Sequence, residues 1–300
     1  MTSPLDVVVI GNAGVDTNVY IPGQDIDFEH EANFTSNIDY VGQAGGYAVR
    51  GYAQLGWRTG FIGAVGNDMA GELVGRKLGG NGVDLRGIFI DPAGTARSIN
   101  FMYSDGRRKN FYDGKSHMDL PVPFDSFEPI LKGARLAHFN IPNWARRVLP
   151  LAKRLGVTIA CDIQDITDIH DPYRSDFITY ADYLFFSAAN FSDPAPLVEQ
   201  FLAQKPGLVV ISGMGAKGCA LGTQAGIQYF PPPALELPVI DTNGAGDGLA
   251  VGFLTSRVLE DRSLEESIRR GQVTARYSCS IKASTDQLIT REELDRLSAI

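Results

Sequence analysis

From Phe124 onward, short apolar runs alternate with amphipathic stretches of helical length. The runs Ala134–Phe139, Val157–Cys161, Tyr183–Phe186 and Leu208–Ile211 read as strands. Helices are predicted between and around them, near 124–132, 143–155 and 172–180 and over Pro194–Ala203. Strand and helix taking turns means βαβ units, and βαβ units mean a parallel sheet. Leu5–Ile10 (LDVVVI) and Trp57–Val65 (WRTGFIGAV) fit the same sheet. The first is almost continuously apolar, as a strand buried on both faces must be. A helix over Met69–Leu78 follows the second. The fold class is therefore α/β. A chain of 300 residues, 44% hydrophobic and 21% charged, has the ordinary composition of a globular protein with a sizeable core. No internal repeat, linker or low-complexity tract divides it, so residues 1–300 are expected to form one domain.

Two regions depart from the alternation. Thr17–Pro22 and Ser36–Val41 alternate polar and apolar residues before any helix has begun, so they should stand off the main sheet. Thr95–Tyr103 and Arg107–Tyr112 do the same around Ser104-Asp105-Gly106, which predicts a hairpin. Arg97, Arg107, Arg108 and Lys109 make this the most basic local stretch. It reads either as a charged, solvated sheet edge or as a phosphate-binding patch.

The formal net charge is −8 and no basic run is present. Nucleic acid and anionic membrane are therefore poor partners. Cys161, Cys219 and Cys279 are isolated and odd in number, so neither a disulfide framework nor a zinc site is expected, and a reducing, cytoplasmic compartment fits. The start of the sequence lacks signal-peptide character, and no apolar run is long enough to span a membrane. The four histidines show no zinc spacing either.

The chemistry concentrates in Val239–Phe253, VIDTNGAGDGLAVGF. Proline-rich sequence ends just before it, at Pro231–Pro233 and Pro238, and Leu249, Phe253, Leu254, Val258 and Leu259 follow at helical spacing. Gly244, Ala245 and Gly246 should therefore form the turn that opens a helix. Small residues leave the backbone N–H groups of a helix N-terminus unobstructed, and those orphan donors and the helix dipole both favour an anion. Asp247 stands in the first turn beside that place, where a carboxylate can accept a proton from a hydroxyl. The plainer reading is a common Gly turn with a helix-stabilising Asp. The longer string decides between them. Asp-Thr-Asn-Gly-Ala-Gly-Asp-Gly followed by Ala-x-Gly-Phe resembles the signature of the ribokinase/PfkB family of sugar and nucleoside kinases, with Asn243 where the family form has Thr.

That resemblance implies a ribokinase-like three-layer α/β sandwich with a small β lid, contributed by about 16–42 and 95–113. It implies transfer of the ATP γ-phosphoryl group to a hydroxyl of a sugar or sugar-like molecule, with Asp247 as base and the amides of Gly244, Ala245 and Gly246 as anion hole. Asn12 and Asp16 follow the first strand, where ligands bind in open α/β sheets, and the family's Asp there binds sugar hydroxyls. Gly45, Gly46 and Ala48 match the family's Gly-Gly-x-Ala-x-Asn, but Arg50 stands in place of Asn. Helical spacing from Gly46 turns Arg50 toward the pocket, which would favour an acidic or acceptor-rich substrate.

Asn190 and Asp193 resemble the family's Asn-x-x-Glu, which holds the magnesium–phosphate ensemble mostly through water; a helix cap is the competing reading. Val209–Gly218 contains G-x-G-x-x-G after a strand, but short strands rather than a helix are predicted next, so a dinucleotide site is disfavoured. The resemblance gives Ser212, Gly213, Gly215 and Gly218 to a loop over the nucleotide instead. Adenine, and a potassium ion, would lie near Lys282–Asp286. Asp162, Asp165, Asp168 and Asp171, with His170 among them, offer a metal cluster or a plain amphipathic turn. The lid implies a homodimer. A nucleoside kinase of the same fold, a catalytically silent nucleotide- or metabolite-binding protein and an NAD-dependent oxidoreductase remain as alternatives.

Overall fold

The computed structural model describes residues 4–23, 25–104, 107–166, 168, 170–282 and 287–299. In chain order its strands are β1 (Val7–Ile10), β2 (Gly14–Tyr20), β3 (Ser36–Gly42), β4 (Thr59–Val65), β5 (Asp84–Ile90), β6 (Arg97–Met102), β7 (Arg108–Asp113), β8 (Leu136–Phe139), β9 (Thr158–Asp165), β10 (Tyr183–Ser187), β11 (Val209–Gly213), β12 (Cys219–Thr223) and β13 (Gly226–Phe230). Its helices are α1 (Gln43–Gln54), α2 (Met69–Gly80), α3 (Glu128–Leu131), α4 (Leu149–Arg154), α5 (Ser175–Tyr180), α6 (Ala195–Gln204), α7 (Ala245–Leu254), α8 (Leu264–Ser278) and α9 (Arg291–Ser298).

The main sheet has the order β13-β12-β11-β10-β9-β8-β1-β4-β5. It is parallel from β5 to β11 and antiparallel only at β11, β12 and β13. Successive residues of β1 serve opposite layers, as the pleat requires. Val8 and Ile10 join α3 to α6 in one core, with Phe139, Phe177 and Phe201. Val7 and Val9 join α1, α2, α7, α8 and α9 in the other, with Phe61, Phe185 and Phe253. This is the expected three-layer sandwich.

Proline sets two helix starts. Pro129 and Pro150 occupy first turns, where their missing N–H costs nothing, so α3 and α4 are shorter than the predicted helices and are preceded by 3-10 turns. β5 was not foreseen. DLRGIFI has no strict alternation and a glycine at its centre, and it pairs only with β4 at the sheet edge.

The small sheet has the order β3-β2-β6-β7. Part of the predicted Ser104–Gly106 turn lies outside the described residues, but Tyr103 N–H donates to the Arg107 carbonyl at 3.0 Å across it. Ser98, Asn100 and Met102 of β6 face inward and are buried, whereas Arg97, Ile99 and Phe101 face out. Among the described residues no helix is long and apolar enough to cross a membrane.

Candidate active site

Parallel strands bring their carboxyl ends to one edge of the sheet. At that edge the chain enters α7 through Gly244, whose φ of 74° is left-handed and open to glycine at little cost. Ala245 N–H is engaged in the turn, 3.3 Å from the Thr242 carbonyl. A Cβ at Gly246 would meet nothing within 4 Å, so there is open space on the side-chain side of this residue. Beside it, Asp247 Oδ1 is buried and has no hydrogen-bond partner. Burial pushes the Asp247 carboxyl well above the usual range, and the charges of Asp162 and Asp16 push the same way. Its own backbone amide and the Arg108 guanidinium oppose that shift. Asp162, within β9, is itself pushed up to about 6 by burial, against a hydrogen bond from Gln164 N–H.

Asp16 of β2 is buried and accepts from Gln43 at both the backbone N–H (3.2 Å) and Nε2 (2.5 Å). Burial raises its carboxyl to about 6, with the Gln43 bonds working against that. Gln43 opens α1 at a φ of 66° and also donates to Ser98 Oγ of β6 at 2.8 Å. Asn12 Nδ2 donates to the Tyr112 hydroxyl of β7 at 2.6 Å, and the Asn12 carbonyl accepts from Gly46 N–H at 3.2 Å. A Cβ on Gly45 would stand 2.5 Å from that carbonyl, so the close approach of α1 to the end of β1 requires a glycine.

The lid is tied to the glycine turn by polar contacts. Asn18 of β2 donates to Asp241 Oδ2 at 3.0 Å, and Tyr20 donates to the same oxygen at 2.9 Å. Asp241 Oδ1 accepts from Asn243 N–H at 2.8 Å. Asn18 Oδ1 accepts from Tyr40 and from Asn100 Nδ2, and Asn100 Oδ1 accepts from Asn110 Nδ2. Asn243 is buried, and its Oδ1 accepts from Arg108 Nη1 of β7.

Two cavities adjoin these groups. One is lined by Tyr47, Gly244, Asp247, Gly248, Thr274 and Ile289. The other is lined by Asn12, Asp91, Ala96, His117, Leu120 and Trp144. Trp144 is fully buried with its indole N–H unpartnered. Asn140, directly after β8, is buried with neither side-chain amide atom bonded, and a Cβ at Gly11 would stand 2.5 Å from its Oδ1.

Residues 6–291 match the family pattern described as pfkB family carbohydrate kinase. The chain belongs to that family.

Its relatives include the acarbose 7(IV)-phosphotransferase of an Actinoplanes species, 28% identical over 100% of both chains. The 5-dehydro-2-deoxygluconokinase of Shouchella clausii is 23% identical over 97% of this chain and 95% of its own. Among solved structures, a microbiome-derived acarbose kinase, Mak1, superposes with a TM-score of 0.92 at 26% identity, covering 99% of this chain and 100% of its own. A ribokinase of Arabidopsis thaliana complexed with ribose and ATP shares the fold, with a TM-score of 0.79 at 24% identity over 99% of this chain and 100% of its own.

Of the motif residues, Gly244 and Asp247 line the first cavity and Asn12 the second, while Asp16 lies within β2 of the lid, its charge acting on Asp247. Arg50 does not line either cavity. It is 2% exposed, and its Nη1 donates to the Val41 carbonyl at 2.9 Å, tying α1 to β3. Helical spacing gave the correct, inner side of α1, but that side is packed rather than open. The expectation of an acidic or acceptor-rich substrate drawn from Arg50 loses its ground.

Asn190 and Asp193 lie exposed in the loop after β10. Asp193 Oδ1 accepts from Ala195 N–H at 3.0 Å and from the Tyr229 hydroxyl at 2.9 Å, as a cap at the start of α6 would. Gly213, Gly215 and Gly218 carry a 3-10 turn and then β12, with no helix, which removes the dinucleotide reading. Ser212 is buried at the end of β11 with its hydroxyl unpartnered. Asp162, Asp165, Asp168 and Asp171 do not converge: Asp168 accepts from His170 N–H and Asp171 pairs with Arg174. Among the described residues no group of three or more His, Cys, Asp or Glu could hold a metal ion. Residues 283–286, near which adenine and potassium were expected, lie outside the described residues.

Gln43, Tyr112, Asn140 and Trp144 were not singled out from the sequence. Asn140 carried a readable signal, a polar residue immediately after an apolar strand. Gln43 carried none, because a left-handed Gln has no sequence signature.

Proposed function

We propose that the protein transfers the γ-phosphoryl group of ATP to a hydroxyl of a neutral, polyhydroxylated sugar. One observation carries this reading. A buried, unpartnered carboxylate oxygen of Asp247 stands beside the open space at Gly246, at the N-terminus of α7. In the proposed reaction, the acceptor hydroxyl donates its proton to Asp247 as its oxygen attacks the γ-phosphorus. The bond from that phosphorus to the bridging oxygen breaks, and ADP leaves with the electron pair. The amides of Gly244 and Gly246 face the charge that develops on the transferring group, and Ala245 joins them when its turn bond is exchanged. Raised basicity suits Asp247 to this step, since a general base works best with a pKa near the working pH.

The sugar would lie against Asp16, Asn12, Asn140 and Gln43. These offer both donors and acceptors, as ring hydroxyls need. The Trp144 and His117 side adds an apolar wall with an N–H to spare. Acarbose is the substrate named for two relatives, and a saccharide of more than one ring is the first to test here. Asn190 Oδ1 and Asp193 Oδ2, oxygen donors without hydrogen bonds among the described residues, fit a magnesium ion held mostly through water, which would neutralise charge on the nucleotide phosphates.

Two further proposals concern setting. The outward face of the lid, with Ile99 and Phe111 exposed and Phe101 edge-on to Phe111, is the surface for a homodimer, to be checked by light scattering. Buried free Cys161 and Cys219 suit a reducing cytoplasm.

The test is Asp247→Asn on the acceptor found by thermal-shift screening of mono- and oligosaccharides and nucleosides with an ATP analogue. Turnover should drop about 10²–10⁴-fold with the fold intact. Near-parent kcat would remove Asp247 from the mechanism.

A further inference from the structure

Asp16 is the carboxylate that the proposed sugar must reach, yet it is only 5% exposed. One residue binds both of its oxygens. Gln43 directly follows β3, and its side chain reaches the register pair Asp16 of β2 and Ser98 of β6. Gln43 Nε2 donates to Asp16 Oδ1 at 2.5 Å and to Ser98 Oγ at 2.8 Å. The Gln43 backbone N–H donates to Asp16 Oδ2 at 3.2 Å. Ser98 itself hydrogen-bonds the carboxylate. A carboxylate offers roughly four acceptor positions, so most of those on Asp16 are taken before any ligand arrives.

The Gln43 side chain does not cap α1, whose N-cap is Gly42. It is also held at a φ of 66°, which L residues adopt at a cost and glycine adopts freely. A glycine there would keep the backbone bond to Oδ2. The strain is offset by the two Nε2 bonds, and both are made inside the acceptor site. The fold leaves room for them, since a Cβ at Gly14 would stand 3.2 Å from Gln43 Cγ. The amide is held one way round. A carboxylate only accepts, so the NH2 group faces Asp16, and both of its N–H bonds are used. Gln43 Oε1 makes no hydrogen bond among the described residues, and it is the acceptor left for a ligand.

We propose that Gln43 is a specificity-determining residue of the acceptor site: its amide stands where one hydroxyl of a vicinal diol would bind Asp16, and it offers Oε1 to the acceptor instead. The inference rests on the sugar-kinase reading above and narrows the class of acceptor. Asp16 engages a single hydroxyl. A free pentose or hexose brings vicinal hydroxyls to a carboxylate, and here one of them is left without its partner. A ring whose neighbouring position is closed by a glycosidic bond loses nothing, and another hydroxyl of the saccharide donates to Oε1. The acceptor is therefore a linked ring of a disaccharide or longer chain.

Gln43→Gly tests this, because it removes the amide and relaxes the backbone, so the fold is kept. The ratio of kcat/KM on maltotriose to that on D-ribose is compared between variant and parent. The parent should favour maltotriose, and the ratio should shift toward D-ribose about tenfold in Gln43→Gly, the scale of one hydrogen bond to a charged group. Thermal shift by the two sugars without nucleotide should show the same change, and it needs no turnover. Gln43→Ala also lacks the amide but stays strained at this φ. It should show the same change in selectivity with a lower Tm than Gln43→Gly. Equal response of the parent to both sugars would overturn the role. So would a ratio within about threefold of the parent's, a shift toward maltotriose, or a change in Gln43→Gly that is absent from Gln43→Ala. Asp247→Asn run in parallel separates the two claims. An inactive Asp247→Asn beside unchanged selectivity in Gln43→Gly defeats only the inference, and an active Asp247→Asn defeats the underlying reading.

Discussion

The two sheets are held by different forces. β1 contributes Val7, Val8, Val9 and Ile10, all fully buried, and its neighbours add further apolar faces. The lid sheet buries Asp16, Asn18, Ser98 and Asn100 instead. Those groups are stable there only because each finds a partner, and Asn18 finds Asp241 at the glycine turn. The main sheet would keep its order whatever happened at the site. The inner face of the lid is satisfied by the site itself, so its order and the chemistry are linked.

Four measurements probe this contrast, from the largest effect to the smallest. Phe201→Ala removes a buried ring that meets Phe186 edge-on between α6 and the sheet. It should cost about 3–5 kcal/mol in urea denaturation, with kcat unchanged while the protein stays folded. A large change in kcat would mean that the main core is not separable from the site.

The second measurement is pH dependence. The Asp16 carboxyl is raised by burial from 3.8 to about 6, so the folded state binds its proton more tightly than the unfolded chain does. Stability from this group is therefore complete below about 4 and is lost as pH rises through about 6, about 3 kcal/mol in all. The stability of the parent relative to Asp16→Asn should fall across that window. A flat or rising difference would show that Asp16 ionises freely and that the root of the lid is not strained by its charge.

Asn18→Ala takes one of two donors from Asp241 Oδ2 and removes the Oδ1 acceptor shared by Tyr40 and Asn100. It should cost about 1–3 kcal/mol, concentrated in the lid. Amide exchange should rise in β2 and β6 while that of β8 and β9 holds, and activity should fall more than Tm. Uniform loss of protection would place both sheets in one cooperative unit. Smallest of all, Phe111→Ser on the outward lid face should shift monomer stability by no more than about 0.5 kcal/mol. Any larger effect should depend on protein concentration, as burial in a dimer would make it.

The sequence yielded the site where function is local. Gly244 to Asp247 is read from neighbours in the chain, because small residues and a carboxylate at a helix start have the same meaning in many surroundings. Asp16 was legible as a strand-end polar residue, but its Gln43 partner was not. Asn243 was visible as a departure from the family form, but its partner Arg108 lies in the lid sheet, 135 positions away. Arg50 shows the limit most plainly, since helical spacing gave its side of α1 but not whether that side was void or filled.

By itself, then, the sequence determined the layered α/β fold and the place of the glycine turn that opens α7 with Asp247 in its first turn. Apolar periodicity and backbone freedom act over a few residues, and they are written in order along the chain. Only the tertiary structure decided how basic Asp247 is, where Arg50 spends its charge and which lid groups hold the turn. Desolvation and Coulomb interactions depend on what is near in space, and the bond from Asn18 to Asp241 joins residues 223 positions apart.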